Sequence, residues 1–319
     1  MQFFQWNVLS QAFCTNKEYS EEFYDSEIFD MDRRHNSILN TISQAINDDR
    51  IIVLHEVDHV LRGKLATLSD KSNYFFLSQG HGFFRNWYMG SVIMFPRTVY
   101  SLIESDFIHI GGMIATEINP PENEKPSWFW SIVNDCLIRN HTKSSEPTSN
   151  YDLYQKAVRA PNILLHVFLK PHDKFLKPFH VWAYHMPCAF NYPSVMEYHT
   201  RQVINCIDPV NQNEHEHEHE HFLCMDGNFL PDSQPYRIFQ ESGFRSVFAL
   251  TDAGEPEWTC SSNSNYGGPF SGTTDYIWVF SDSVRISVLV ELPEISEKSL
   301  NLPTLTFPSD HLWMKLDII

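Results

Sequence analysis

Eight polar residues stand where apolar runs begin or end. Asn7 closes "QFFQWN", Glu56 follows "IIVLH", and His185 closes "FHVWAYH". Asp226 and Asn228 sit in "FLCMDGN", Asp275 opens "DYIWVF", and Asp310 and His311 precede "LWMKLDI". A carboxylate or imidazole at the mouth of a buried strand needs a partner or a task, because burying it alone is costly. Gathered on one rim, the set offers three carboxylates, two amides and two imidazoles, with Asp275 behind them. Such donors suit a hard, oxygen-preferring cation such as Mg²⁺, held by one or two carboxylates and kept largely hydrated. They do not suit a closed zinc site, which wants a compact Cys/His set. Taken singly, each has a plain structural use. Asn after a strand forms turns, Glu before a helix favours the helix dipole, and Asp-Gly marks a tight turn.

The elements that must position these residues are legible as short apolar runs. Strands are predicted at 2–6, 51–55, 91–95, 162–169, 179–185, 222–226, 275–280, 285–292 and 312–318. Helical spacing appears at 35–47 (Ile38, Leu39, Ile42, Ile46), 57–68, 194–207 with Ser194 as N-cap, and 235–243 closed by Gly243. Strands and helices mix throughout, and the second half is richer in strands. This points to an α/β sandwich rather than a βαβ repeat. Residues 118–150, polar and Pro-rich around "WFWSIVNDCLI", and 211–221, "NQNEHEHEHEH", read as insertions in one domain spanning 1–319.

The 319 residues carry 42% apolar content, enough for a large core. Forty acidic residues against 23 basic give a formal charge of −17, which argues against non-specific binding to nucleic-acid backbones. A local cation can still supply positive charge. No run reaches the roughly 18 apolar residues of a membrane span. Without an export signal, the six scattered cysteines read as reduced thiols of a cytoplasmic or nuclear protein. The sequence names no protein partner.

In order along the chain, "QWNVLSQAF" (5–13), "LHEVDHV" (54–60), "AYHMP" (183–187), "CMDGNFLPDSQPY" (224–236), "TTDYIWV" (273–279) and "FPSDHL" (307–312) resemble the motifs of the endonuclease/exonuclease/phosphatase superfamily, and within it the CCR4/nocturnin-type branch. The resemblance implies a DNase I-like, four-layer α/β/β/α sandwich of two mainly antiparallel sheets with helices outside. It implies Mg²⁺ (or Mn²⁺) held by Glu56, with Asp310 nearby. Asp226 would align or deprotonate the attacking water, and Asn7 and Asn228 would hold water and phosphoryl oxygens. His185 and His311 would donate to the phosphate, with Asp275 orienting His311. Charge growing on the non-bridging oxygens of a phosphodiester is stabilised by such a cation and such imidazoles.

The chain departs from the pattern in places. His55 stands where the family usually has Gln. Met225 and Gly227 replace a small and an aromatic residue around Asp226, and Gly227 is expected to loosen the backbone there. Arg159 and Asn162 precede a strand and are candidate substrate contacts. Tyr88, beside Trp87, is a candidate wall for a stacked base. The "EHEHEHEH" tract reads as a solvated loop, with weak transition-metal binding as the alternative. The implied activity is a Mg²⁺-dependent phosphodiesterase on RNA, most simply a 3′→5′ exoribonuclease of deadenylase type. The alternatives are a phosphatase or phosphodiesterase on a small nucleotide or phospholipid head group, and an inactive scaffold retaining the fold.

Overall fold

Alternation along each strand sorts its side chains between two layers. In β1 (Gln2–Asn7), Phe3 packs between two sheets, whereas Phe4 and Trp6 pack under helices. The computed structural model describes residues 1–15, 18–19, 24–79, 89–118, 149–207, 219–265, 267–281, 288–295 and 302–318. After β1 come α1 (Met31–Asn47), β2 (Ile51–Asp58), α2 (His59–Lys71), β3 (Tyr74–Ser78), β4 (Met89–Pro96), β5 (Tyr100–His109) and α3 (Ile110–Glu117). Then follow α4 (Asn150–Arg159), β6 (Ile163–Pro171), β7 (Phe179–His185), α5 (Pro193–Ile207), β8 (Glu220–Asp226), α6 (Gln234–Glu241) and β9 (Arg245–Ser246). The chain ends with β10 (Cys260–Ser264), β11 (Gly268–Gly272), β12 (Asp275–Phe280), β13 (Val288–Glu291) and β14 (Met314–Ile318).

Two six-stranded sheets result, ordered β13-β14-β1-β2-β4-β3 and β5-β6-β7-β8-β12-β9, with β10 and β11 as a separate hairpin. Each large sheet holds one parallel pair, β1 with β2 and β7 with β8; the remaining pairings are antiparallel. The inner faces meet through Phe3, Val53, Ile93, Val167, Val181, Phe222, Ile277 and Leu316. The first sheet's outer face packs on α1 and α2 through Ile38, Ile42, Leu61 and Leu65. The second packs on α3 to α6 through Ile114, Ala157, Val203 and Phe239. This is the expected four-layer sandwich. Among the described residues, no helix is long and apolar enough to cross a membrane.

The topology places the polar strand ends together. The C-termini of β1, β2, β7 and β8 and the N-termini of the antiparallel neighbours β12 and β14 share one rim. Several expected boundaries shift. The helix expected from 57 starts at His59, because β2 continues to Asp58, whose carboxylate caps the amides of Val60 and Leu61. The helix expected from Ser194 starts at Pro193, whose fixed φ suits a first helical position. The expected strand 285–292 is described only as Val288–Glu291. Of the two expected insertions, 119–148 and 211–218 lie outside the described residues, and the end of the second, expected as a solvated loop, is strand: Glu220 and His221 begin β8.

Candidate active site

Parity would send Glu56 to the helix side, since Leu54 packs there and His55 faces inward. A register shift between Leu54 and Val57 undoes this: Glu56 adopts a left-handed conformation (φ 59°), and Val57 takes the helix-side place. Such backbone costs about 1–2 kcal/mol in a residue with a Cβ. The carboxylate thereby reaches the rim, where Asn7 Nδ2 donates to its Oε1 (3.2 Å) and the Ser10 amide donates to its Oε2 (2.9 Å). Asn7 Nδ2 also donates to Asp226 Oδ2 at 2.8 Å, joining the two sheets at this rim.

Around Asp226 Oδ2 stand His185 Nε2 at 3.5 Å and His311 Nε2 at 3.9 Å; His185 Nε2 is also 3.8 Å from Glu56 Oε1. His311 Nδ1 pairs with Asp275 Oδ2 at 2.9 Å, and that oxygen also accepts from Thr259 Oγ1 (2.7 Å) and Thr274 Oγ1 (3.2 Å). Asp310 accepts from the Tyr19 hydroxyl at 3.1 Å, and its Oδ1 is 4.0 Å from His311 Nε2. The Asn228 amide donates to Asp226 Oδ1 (3.1 Å), while its side chain donates to the Met186 carbonyl (2.9 Å). The structure therefore brings together Asn7, Glu56, His185, Asp226, Asp275, Asp310 and His311. Asn228 sits beside them and braces Asp226 and the loop after β7.

The electrostatics follow from burial and pairing. Burial raises the carboxyls of Glu56, Asp310 and Asp275 above their ordinary range. Burial also works against an ionised Asp226, but His311, His185 and the Asn7 amide outweigh it and hold its carboxyl below the ordinary range. Burial opposes a charged His311, yet Asp275 and the other nearby anionic groups lift it well above 6.5. His55 lies beneath the site with Nδ1 on Ser91 Oγ (2.9 Å); burial and then His185 push it down to about 3. It is an inward strand residue, consistent with a neutral structural role.

The donor set fits a hard divalent cation. Asp310 Oδ1 is buried with no hydrogen-bond partner, and the charges of Glu56 and Asp310 raise the cost of ionising the cluster. Ligand atoms of Glu56, His185 and Asp226 lie within 4.8 Å of one another, close enough for one cation, whereas Asp310 falls in a separate group with Cys260 and His311.

Of the expected substrate contacts, Asn162 lines a groove with His185, Gln79, Gly90 and Ser91, and it donates to the His185 carbonyl at 2.6 Å. Arg159 is exposed at the end of α4 and does not line that groove. Tyr88 lies outside the described residues. Met225 points to the helix-side core, away from the site. Gly227 is not loosened as expected: its amide donates to the Thr274 carbonyl at 2.7 Å, and a Cβ there would sit 2.9 Å from the Phe229 ring. A side chain there would force that ring to move.

Sequence reasoning missed the groups that hold the site. Arg34, 2% exposed, donates to the Val8, Leu9 and Pro308 carbonyls and to Gln11 Oε1. Ser309 Oγ donates to the Asn7 carbonyl at 2.7 Å. The 310–312 segment pairs with the start of β10 through Ser261 N to Asp310 O and Leu312 N to Thr259 O. Two of these contacts span more than 270 positions and the rest span more than 20, so nothing local announces them. Thr274 beside Asp275 and Ser309 two residues before His311 are short-range cues.

No protein-family profile matches the chain, and no curated protein matches its sequence. Solved structures do. ANGEL2, a 2′,3′-cyclic phosphatase solved with adenosine-2′,3′-vanadate, aligns with TM-score 0.69 at 15% identity, covering 99% of this chain and 94% of that one. The human Nocturnin catalytic domain with bound sulfate aligns with TM-score 0.63 at 16% identity, covering 100% and 94%. An endonuclease/exonuclease/phosphatase family protein from Bacteroides thetaiotaomicron aligns with TM-score 0.61 at 13% identity, covering 100% and 98%. Over its whole length, this chain has the fold of the endonuclease/exonuclease/phosphatase proteins.

Proposed function

We propose that the chain, as one catalytic domain, is a divalent-cation-dependent phosphodiesterase acting on RNA as a 3′→5′ exoribonuclease of deadenylase type. The observation that carries this reading is the Asn7 amide bridging Glu56 and Asp226 across two sheets, with His185 and His311 facing the same Asp226 oxygen. Glu56 and Asp310 would hold Mg²⁺ or Mn²⁺, which supplies Lewis-acid stabilisation of a phosphoryl oxygen when bound. Asp226, kept ionised by its imidazole neighbours, orients a water molecule and accepts its proton. His311, held protonated against Asp275, donates from Nε2 to a non-bridging oxygen, and His185 donates from the other side. Asn7 fixes Asp226 and Glu56 relative to each other. Asn228 keeps Asp226 in place through its backbone amide.

A nucleobase has a place to rest. Phe190, 47% exposed in the loop after β7, and Phe270 of β11 present rings 5.9 Å apart. Such a pair, one ring exposed and one half-buried, offers a stacking surface that tolerates any base. A second reading, a phosphatase on small nucleotides, is favoured by the likeness to ANGEL2 and by the net charge of −17.

The test is hydrolysis of 5′- and 3′-labelled oligo(A), RNA ending in a 2′,3′-cyclic phosphate, and a phospholipid head-group analogue, each with Mg²⁺ or Mn²⁺. Stepwise shortening from the 3′ end supports the first reading. Turnover confined to the cyclic phosphate or small esters supports the second. Equal inactivity of the parent and Glu56→Gln on every substrate leaves only a scaffold.

A further inference from the structure

A second group of polar side chains lies at the other end of the second sheet, and the phosphate site does not use it. His166 on β6, His180 on β7 and His221 on β8 alternate with the inward residues Val167, Val181 and Phe222, so all three face the outer side. Cross-strand register pairs Phe168 with His180 and His180 with His221. The rings stack accordingly: Phe168 on His180 at 4.1 Å, His180 on His221 at 4.4 Å, and His166 on Trp182 at 3.9 Å. His180 lies second in β7 and His185 ends it, which separates the two sites by about 16 Å of extended chain.

The ring nitrogens are not equivalent. His221 Nδ1 accepts from Trp182 Nε1 at 3.3 Å, so His221 serves as a stacking wall. His166 Nε2 and His180 Nδ1 lie only 2.9 Å apart and share one proton. Two imidazoles bound to one tetrahedral ion sit about 3.3 Å apart at their nitrogens, so this pair needs little adjustment. Asp106 Oδ2 is 3.5 Å from His166 Nδ1, placed to face an N–H there once Nε2 becomes a ligand. His219 stands close by, its ring 5.9 Å from His180 and 5.1 Å from Phe168, and its buried Nδ1 has no hydrogen-bond partner. Burial, with mutual repulsion, pushes His180 down to about 2; burial brings His166 to about 4. Both rings are therefore neutral at neutral pH, as metal ligation requires. His180 and His219 remain partly exposed, which gives an ion a way in.

We propose that His166, His180 and His219 form a binding site for a divalent transition metal of the Zn²⁺, Ni²⁺ or Cu²⁺ class. Imidazole nitrogen selects these ions over Mg²⁺, so the two ends of the molecule differ in metal preference. The proton now shared by His166 and His180 moves to His166 Nδ1, facing Asp106. A turn of the His219 ring supplies the third nitrogen, and water completes the shell. This site stands independently of the proposed phosphodiesterase activity.

The test is calorimetric titration of the full chain with Zn²⁺ in excess Mg²⁺, with Co²⁺ absorption as a second readout. One site per chain is expected, with the intense visible bands of low-coordinate Co²⁺. His180→Phe and His219→Ala should each weaken Zn²⁺ binding at least tenfold, with unchanged far-ultraviolet circular dichroism. His219 is partly exposed, so its replacement tests the site even where His180→Phe fails to fold. Replacing His215 and His217 by Ala, and separately Glu56 by Gln, should change affinity less than threefold. The proposal is overturned if His219→Ala binds as the parent does, or if the His215/His217 replacement alone removes binding.

Discussion

Replacing Arg34 by Met tests how the site is held without touching a group that faces substrate. The guanidinium makes four hydrogen bonds of 2.6–3.0 Å, to the Val8, Leu9 and Pro308 carbonyls and to Gln11. Methionine fills much of the space and donates nothing, leaving three buried carbonyls without a partner. At about 1 kcal/mol each, the lower end for buried unsatisfied groups, the loss is about 3 kcal/mol. The low end applies because removing a buried charge offsets part of it. The functional effect follows from Leu9, held in a left-handed conformation (φ 54°) just before the Ser10 amide that donates to Glu56. Loosening that turn and the Pro308 anchor should raise the Mg²⁺ concentration for half-maximal activity about tenfold, equivalent to about 1.4 kcal/mol. Urea denaturation gives the first quantity, and hydrolysis against Mg²⁺ concentration gives the second. Arg34→Lys, which keeps the charge but not the fork, should fall between Met and the parent. If Arg34→Met unfolds within 0.5 kcal/mol of the parent and shows the same Mg²⁺ dependence, the clamp has no such role.

Asp226→Asn should lower the hydrolysis rate about 10³-fold, within the range for losing a general base, with folding intact by circular dichroism. Asp275→Asn removes the main anion that keeps His311 protonated, so the alkaline limb of the pH–rate profile should move to lower pH. Gly227→Ala should cost about 1–3 kcal/mol in urea, because its Cβ meets the Phe229 ring and the Thr274 carbonyl. Without cation, the raised carboxyls of Glu56 and Asp310 stabilise the fold most below their ordinary 4.5 and 3.8. That contribution is lost as pH climbs through their folded values. Mg²⁺ should therefore raise the melting temperature more at pH 7.5 than at pH 5, and thermal scans at the two values will show it.

The strands were legible because a buried strand must be apolar on the faces it hides. "IIVLH", "FHVWAYH" and "DYIWVF" announce themselves by composition. The edge strand β5, exposed or half-buried from Ser101 to His109, and the polar hairpin β10–β11 have no such run and went unseen. The candidate residues were legible for the opposite reason: Asn7, Glu56, Asp226 and His311 are polar where a strand should stay apolar, and solvation makes that conspicuous.

Residue types and order along the chain thus determined the layers and named the groups that would meet. Tertiary structure alone decided how they meet. Glu56 faces the rim because of a local register shift, which parity arguments place on the wrong side. Gly227 leaves room for a ring two residues away, and Arg34 ties together the Val8 and Pro308 carbonyls, 300 positions apart. Side-chain period and apolar content are local properties, read residue by residue. The partner of a buried donor or acceptor is chosen by the packing of whole layers, so it exists only once the sheets have closed on each other.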